Sequence, residues 1–255
     1  MCKTCGCAAP GTSQHSNVRS PGPIFEVVQN LLEANDRVAA HNREHFDSHG
    51  VLAINLMSSP GSGKTALLEA TIDALRDRYR MAVIEGDLET ENDAARIRAR
   101  GVPAIQITTG TACHLDAPLV HQALHDLPLA GLDLLFIENV GNLVCPASFD
   151  LGQHLNVTLL SVTEGDDKPA KYPVIFRASD LVVLSKADLL NVMDDFDPDR
   201  AEGALRSLGT DIRMIRTAAR RIPEIDSWID WLESQLAWRR SAAIVPPVSA
   251  MAMGV

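Results

Sequence analysis

The chain of 255 residues lacks the features that mark several other classes of protein. It has no basic excess, since 23 Lys and Arg face 33 Asp and Glu, which argues against broad nucleic-acid binding. Its apolar runs are far shorter than the ~20 residues that span a bilayer, and its N-terminus has no apolar signal core. Five cysteines make no disulfide scaffold. We therefore expect a cytoplasmic protein with reduced thiols that binds neither nucleic acid nor membrane.

What the sequence does have is an alternation of apolar runs with amphipathic stretches. The runs predict strands at 51–57, 81–84, 104–107, 132–137, 157–162, 181–184 and 212–215. The amphipathic stretches predict helices at 65–79, 91–100, 115–127 and 197–208. Nearly continuous apolar strands are typical of a parallel sheet whose two faces are both covered by helices. The alternation therefore predicts an α/β fold with a mostly parallel central sheet flanked by helices.

Three segments are expected along the chain. Residues 1–23 are rich in Cys, Gly, Pro, Ser and Thr and read as a flexible metal-binding tail. A helix over 24–49, stopped by Gly50, opens a domain that extends to residue 240 and ends in another helix. Residues 241–255 have little periodicity and are predicted to form a loose tail.

The first apolar run leads into a glycine-rich loop with the sequence Ser58-Ser-Pro-Gly-Ser-Gly-Lys-Thr65. A strand, this loop and a helix form the context of the Walker A motif, although Ser58 stands where the motif has its first Gly. The glycines let backbone N–H groups face a phosphate, Lys64 supplies positive charge, and Thr65 offers its hydroxyl to Mg²⁺. The predicted nucleotide-binding residues here are Gly61, Ser62, Gly63, Lys64, Thr65 and Ala66.

Two acidic residues stand at the ends of predicted strands. Asp87 ends the second run and Glu138 ends the fourth. Carboxylates at the carboxyl ends of strands beside a phosphate loop lie where Mg²⁺ and an attacking water are held. We predict Mg²⁺ ligands at Thr65, Asp87 and Glu138 and catalytic roles for Lys64, Thr65 and Glu138. A solvated carboxylate at a strand end is the alternative for both acids.

A base-binding motif follows the sixth run. Ser185-Lys186-Ala187-Asp188 is similar to the Asn-Lys-x-Asp motif of GTPases, with Ser in place of Asn. The Asp carboxylate of that motif accepts two hydrogen bonds from guanine that adenine does not offer, and a site built on such acceptors discriminates strongly. We expect Lys186 and Asp188 to bind the base, and Ser185 leaves an ATP-dependent enzyme open.

Three of the five cysteines lie in the first seven residues. Cys2, Cys5 and Cys7 place three soft ligands close together, and the amine of Cys2 becomes a fourth donor if Met1 is removed. A planar sulfur and nitrogen set suits Ni²⁺, whereas a tetrahedral set suits Zn²⁺. An exposed redox-sensitive tail without metal is the alternative.

The other two cysteines follow the third and fourth runs. Cys113, with the adjoining His114, and Cys145 leave the same edge of the predicted sheet as the phosphate loop. These side chains could meet as an incomplete metal site that a symmetry mate, water or a partner completes. Buried structural thiols are the alternative reading.

Three histidines repeat every four residues within the first predicted helix. His41, His45 and His49 therefore share one helix face. Metal binding is one reading, but no acidic or cysteine residue adjoins them in sequence, which favours a solvated face.

Taken together, the motifs resemble the HypB family, GTPases that help insert nickel into nickel–iron hydrogenase. The resemblance rests on the Cys2-x-x-Cys5-Gly-Cys7 tail, the phosphate loop, Glu85-Gly-Asp87, Thr111-Ala-Cys113-His114, Glu138-Asn-Val-Gly-Asn-Leu-Val-Cys145, and the 163–173 segment. It covers the N-terminal cysteines and most of residues 24–236. Two features depart from the family pattern: Ser185, and residues 216–223, which lack the usual Gly-containing turn near the base.

The resemblance implies a SIMIBI-class P-loop NTPase that dimerises with nucleotide or metal and hydrolyses GTP slowly to GDP and phosphate. It implies nickel binding at Cys2, Cys5 and Cys7, and a Ni²⁺ or Zn²⁺ site at a dimer interface on Cys113, His114 and Cys145. A mobile switch segment maps to residues 165–173. The implied partners are a HypA-type nickel protein and the hydrogenase large subunit. A related metallochaperone GTPase for urease or a cobalamin enzyme, and a metal-sequestering protein that dimerises with nucleotide, are the rival readings.

Overall fold

The computed structural model describes residues 23–87, 91–110, 112–209, 211–220 and 224–244. Within them seven strands form one sheet in the order β3-β2-β4-β1-β5-β6-β7, and each adjacent pair is parallel. The strands are β1 (Leu52–Ser58), β2 (Met81–Asp87), β3 (Ala104–Thr108), β4 (Leu134–Glu138), β5 (Leu155–Ser161), β6 (Leu181–Ser185) and β7 (Arg213–Arg216). The predicted parallel α/β sheet is confirmed.

Helices cover both faces of this sheet in the described part of the chain. They are α1 (Pro23–His49), α2 (Lys64–Leu75), α3 (Asn92–Arg98), α4 (Ala117–Leu124), α5 (Lys168–Lys171), α6 (Pro173–Arg177), α7 (Pro198–Ser207) and α8 (Asp226–Ile244). None of these helices is both long and apolar enough to cross a membrane. Each predicted strand and helix has a counterpart whose ends differ by a few residues.

The core explains why the strands are apolar at nearly every position. All seven residues of β1 are buried, and alternate side chains enter opposite cores. Ile54 packs with residues of α2 and α8 on one face, while Ala53 packs with residues of α1 and α4 on the other. A strand that is buried on both faces is apolar throughout and does not alternate between apolar and polar residues.

The ends of the domain differ from the predicted boundaries. Pro23 begins α1, where proline suits the first helical position, so the predicted tail is one residue too long. The prediction of a loose segment from residue 241 is wrong for residues 241–244, because α8 continues to Ile244. Ser-Ala-Ala-Ile has acceptable helix propensity, and the first residue that opposes a helix is Pro246. The rest of both predicted tails, with Cys2, Cys5 and Cys7, lies outside the described residues.

The parallel arrangement brings the predicted site together. The carboxyl ends of all seven strands meet at one edge of the sheet, and β1 lies at its centre between β4 and β5. Loops that leave this edge after β1, β2, β3, β4 and β6 carry the predicted nucleotide and metal residues. Ligands of open α/β sheets bind at this edge.

Candidate nucleotide and metal sites

The loop after β1 has the backbone geometry of a phosphate cradle. Gly61 (φ 74°) and Gly63 (φ 100°) both adopt left-handed conformations that L-residues rarely tolerate, and α2 begins at once with Lys64. Ser58, the position that departs from the Walker pattern, is fully buried, and its Oγ accepts a hydrogen bond from Lys64 Nζ at 3.0 Å. The departure therefore supplies a polar partner for the lysine.

The predicted Mg²⁺ ligands meet beside this loop. Thr65 Oγ1 donates to Glu138 Oε1 at 3.0 Å, and Lys64 Nζ lies 3.9 Å from the same oxygen. Lys64, Thr65 and Glu138 line a cavity of 330 Å³. Asp87 lines this cavity as well. The buried atom Glu138 Oε2 has no hydrogen-bond partner among the described residues. An unpaired buried carboxylate oxygen next to a hydroxyl fits a hard cation such as Mg²⁺, which prefers oxygen ligands.

The sequence analysis missed a second buried acid in this cavity. Glu85 lies opposite Glu138 in the pairing of β2 with β4 and is 2% exposed. Burial and the Glu138 carboxylate raise the pKa of Glu85 far above its ordinary value. Burial also raises the pKa of Glu138, but the Lys64 ammonium and the Thr65 hydroxyl oppose that rise. Because Lys64 and Thr65 face Glu138, the negative charge of this coupled pair is favoured on Glu138 and a proton on Glu85.

A larger cavity of 460 Å³ lies on the other side of the phosphate loop. Its walls are Gly61, Ser62, Gly63, Ala66, Thr163, Ser185, Lys186, Asp188, Leu189, Ala219 and Arg220. The predicted residues Lys186 and Asp188 line this cavity together with the phosphate loop, and their binding of the base stays a prediction. Sequence reasoning noted the segments that contain Thr163, Ala219 and Arg220 but gave none of these three residues a role in nucleotide binding.

Hydrogen bonds tie the base loop to the phosphate loop. Ser185 Oγ donates to the Ser62 carbonyl at 2.6 Å. Lys186 adopts a left-handed backbone (φ 56°), and its Nζ donates to the Gly61 carbonyl at 2.9 Å and to Thr163 Oγ1 at 3.1 Å. The serine that departs from Asn-Lys-x-Asp thus joins the two loops through its own hydroxyl. Of the segment without the usual glycine turn, residues 221–223 lie outside the described residues.

The two cysteines of the domain meet. Cys113 Sγ lies 3.0 Å from Cys145 Sγ and 3.8 Å from His114 Nδ1, and one ligand atom from each residue lies within 4.8 Å of the others. All three residues are partly exposed, and the His114 ring stacks on Phe149 at 3.9 Å. Burial lowers the pKa of His114, which keeps the imidazole neutral and able to bind metal. The set offers three soft or borderline ligands of a four-coordinate site.

One short segment joins the nucleotide cavity to this cysteine pair. The segment 138–145 begins with Glu138, whose carboxylate accepts a hydrogen bond from Thr65, and it ends with Cys145. Midway, a Cβ on Gly141 would lie 2.7 Å from Pro60 Cα, so this backbone rests directly on the phosphate loop. Asn142 Nδ2 then donates to the Cys113 carbonyl at 3.4 Å. Only four positions therefore separate the contact with the phosphate loop at Gly141 from the thiol of Cys145.

The histidines of α1 have a neighbour that their own helix does not reveal. His45 Nε2 faces His41 Nε2 at 3.1 Å, and the His121 ring of α4 lies 5.2 Å from the His41 ring. His121 comes 76 or more residues later in the chain, so helical spacing alone could not find it.

Comparison with known proteins finds the family that the sequence motifs resemble. The family described as CobW/HypB/UreG, nucleotide-binding domain, matches residues 52–216. Hydrogenase maturation factor HypB of Azotobacter vinelandii is 51% identical over 236 residues, which cover 92% of this chain and 75% of that protein. HypB of Escherichia coli K12 is 49% identical over 230 residues, covering 90% and 77%.

One of the solved structures with a similar fold contains nickel. The crystal structure of HypB from Helicobacter pylori in complex with nickel superposes with a TM-score of 0.76 at 40% identity, covering 84% of this chain and 99% of that one. HypB from Archaeoglobus fulgidus matches with a TM-score of 0.74 at 38% identity, covering 80% and 100%. With this fold, phosphate loop and level of identity, the chain belongs to the HypB family of hydrogenase maturation factors.

Proposed function

We propose that this protein is a nickel-delivering GTPase that hydrolyses GTP to GDP and phosphate to support nickel insertion into a hydrogenase. Its cargo is Ni²⁺, and the nucleotide state controls when the cargo is held. Steady hydrolysis places it among enzymes rather than passive metal-binding proteins. The reduced-thiol chemistry of its cysteines suits the cytoplasm.

The nucleotide would bind across both cavities. Backbone N–H groups around Gly61 and Gly63 and the Lys64 ammonium would hold the phosphates. The larger cavity would take the base against Asp188, whose carboxylate favours guanine. Mg²⁺ would be held by Thr65, Asp87 and Glu138 and would neutralise phosphate charge. Lys64 adds charge stabilisation in the transition state, and the Glu138 carboxylate can orient the attacking water.

The observation that carries the proposal is the segment 138–145. One end of this segment is Glu138, which lies next to Thr65, and the other end is Cys145. Between them, Gly141 lies against the phosphate loop. When one ligand shifts this short segment, the site at its other end shifts with it, and the resulting influence between the two ligands is reciprocal. GTP and Ni²⁺ are therefore coupled through this segment.

The cysteine pair supports transfer rather than permanent storage. Cys113, His114 and Cys145 supply three ligands at a partly exposed surface, and no fourth Cys, His, Asp or Glu joins them among the described residues, so water or another molecule would supply the fourth. A second copy of the chain would bring an equivalent set, which favours a homodimer whose interface holds the metal. Ni²⁺ and Zn²⁺ both suit this donor set.

The remaining parts of the proposal extend to partners. Cys2, Cys5 and Cys7 would form a separate nickel site that loads the protein. A HypA-type nickel protein and the hydrogenase large subunit would exchange metal with it, and nucleotide binding would order residues 165–173. Hydrolysis would loosen the dimer and release the metal.

The test is Lys64→Ala in the full chain, assayed for steady-state GTP hydrolysis with Mg²⁺ and for bound nickel. We expect hydrolysis to fall at least ~10²-fold, because Lys64 is the buried cation of the phosphate loop. Nickel binding at the tail should remain. Arg206→Ala, on the exposed surface of α7, is the matched control and should keep both properties.

Other outcomes would point to the rival functions. Hydrolysis at blank level in the unmodified protein would favour a metal-sequestering protein that uses nucleotide only to dimerise. Equal affinity for GTP and ATP in a competition titration would favour an ATP-dependent enzyme. Loss of tail nickel in Lys64→Ala would contradict two separable sites. Hydrogenase activity of a deletion strain with and without added nickel separates this role from urease or cobalamin maturation.

A further inference from the structure

A histidine-rich surface lies between α1 and α4 and shares no residue with the Cys113, His114 and Cys145 set. Helix α1 contributes His41 and His45, four residues apart, while His121 lies in α4 and His125 follows directly after its last residue. Neighbouring ring centroids are separated by 4.5 Å for His41 and His45, and by 5.2 Å for His121 and His125. Between the helices, the His121 ring lies 5.2 Å from His41 and 5.9 Å from His45.

The hydrogen bonds of Asn42 fix the tautomer of His121. Asn42 is fully buried, and its Nδ2 donates to the carbonyls of Ala117 and Leu151, both at 3.0 Å. Its Oδ1 is therefore an acceptor, so His121 Nδ1, 2.9 Å away, must be the donor. The lone pair of the neutral His121 ring is then on Nε2. Metal-binding histidines are oriented in this way, by a second nitrogen that donates to an oxygen acceptor.

The α1 histidines also present free nitrogens to the same place. His41 Nδ1 lies 3.8 Å from the Glu44 carboxylate, while its Nε2 faces His45 Nε2 at 3.1 Å. Two nitrogens bound to one tetrahedral ion at 2.0–2.1 Å would lie roughly 3.3 Å apart. The spacing of this pair therefore needs almost no adjustment to accept an ion, and the ligand atom of His121 lies within 4.8 Å of both.

A small cavity adjoins two of the three histidines, His45 and His121. It measures 180 Å³ and is lined by four histidines and three leucines: His45, His49, His121, His125, Leu124, Leu127 and Leu129. His49 Nδ1 donates to the His45 carbonyl at 2.9 Å, which leaves its Nε2 without the ring proton. His49 and His125 line the same cavity, and a water molecule can complete the coordination of an ion held by three imidazoles.

We infer that His41, His45 and His121 form a third metal site, which binds a divalent transition-metal ion of the Ni²⁺ and Zn²⁺ class through imidazole nitrogens. Imidazole suits these ions, whereas Mg²⁺ and Ca²⁺ require oxygen ligands that the cluster does not offer. Two histidines at i and i+4 on one helix are a known arrangement for such ions. Asn42 acts as a positioning residue. This inference stands apart from the proposed nickel delivery, because none of its ligands belongs to the cysteine sites.

The test counts metal ions on the full chain. Ni²⁺ or Zn²⁺ alone is titrated by equilibrium dialysis into the unmodified protein, the double variant His41→Gln/His45→Gln, and Cys113→Ser/Cys145→Ser. We expect each double variant to bind one ion fewer per chain, and the combined variant two fewer. Arg37→Gln, an exposed change one turn earlier on α1, is the matched control and should keep the full count.

A spectroscopic measurement locates the ion. In Cys113→Ser/Cys145→Ser, Zn²⁺ should shift the imidazole proton resonances of His41, His45 and His121 in NMR spectra. His41→Gln alone removes a half-exposed ligand without disturbing the core, and should weaken Zn²⁺ binding there at least ~10-fold. Unchanged ion counts in the His41→Gln/His45→Gln variant would overturn the inference, as would imidazole resonances that Zn²⁺ leaves unmoved.

Discussion

Gly141→Ala tests whether the segment 138–145 holds the phosphate loop by direct contact. A Cβ at this position would lie 2.7 Å from Pro60 Cα and 2.8 Å from Pro60 N. Both atoms are backbone, immediately before Gly61, so no side chain can turn aside. The loop or the segment must move to accept the methyl group.

The size of the effect follows from the clash. An ordinary carbon contact is about 3.5 Å, so roughly 0.8 Å of displacement is required. Extra methyl groups in packed sites cost about 1–3 kcal/mol of stability. A shift of about 1 Å at a site that positions reacting groups costs about 10²-fold in rate. We therefore expect modest destabilisation with a loss of about 10²-fold in GTP hydrolysis.

The assay pairs two alanine substitutions. GTP hydrolysis and urea unfolding are measured for Gly141→Ala and for Gly203→Ala, whose added Cβ meets open space on helix α7. The control should keep full hydrolysis and gain up to about 1 kcal/mol, because alanine is the better helix former. Full hydrolysis in Gly141→Ala would refute the direct contact, and so would an equal loss in Gly203→Ala.

Three further predictions concern buried titratable groups and the base. Because burial and the Glu138 carboxylate raise the pKa of Glu85, the folded chain holds a proton that the unfolded chain releases above about pH 4.5. Glu85→Gln should therefore gain stability over the unmodified protein by about 1.4 kcal/mol per unit of rising pH, measured by urea unfolding between about pH 6 and 8. Burial, and secondarily Arg239, lower the pKa of His154 to about 4, and its Nδ1 accepts from the Ala53 amide at 2.9 Å. As the pH falls, His154 takes up a proton at a higher pH in the unfolded chain than in the folded chain, so the stability of the folded chain should fall from about pH 6.5 towards pH 4. His154→Gln should make the melting temperature depend less on pH over this range. Asp188→Ala should lower GTP affinity about 10²-fold and bring the GTP to ATP ratio near one in competition titrations.

The sequence predicted the sheet because burial on both faces makes its strands apolar throughout. Val51 to Met57 and Leu181 to Leu184 are recognisable as strands for this reason, and the glycine-rich loop fixes where helix α2 starts. Less was predictable at the chain ends, where α8 extends past Ser241 because nothing opposes a helix before Pro246.

The parts of the site that share a motif were predictable, and those created by packing were not. Cys113 and Cys145 were expected near each other because β3 and β4 end at the same sheet edge. Glu85 belongs to a recognised motif, but its perturbed pKa depends on burial opposite Glu138. His121 approaches His41 only because α4 packs on α1, and no local pattern records that contact.

The central claim is that nucleotide and nickel share one segment, and a coupled titration tests it most directly. Ni²⁺ affinity at Cys113 and Cys145 would be measured in the full chain with GDP and with a non-hydrolysable GTP analogue, using Cys113→Ser/Cys145→Ser to subtract the other sites. The account predicts a difference between the two states of about 5-fold or more. It also predicts that Lys64→Ala reduces this difference. Identical nickel affinity in both nucleotide states would contradict the account.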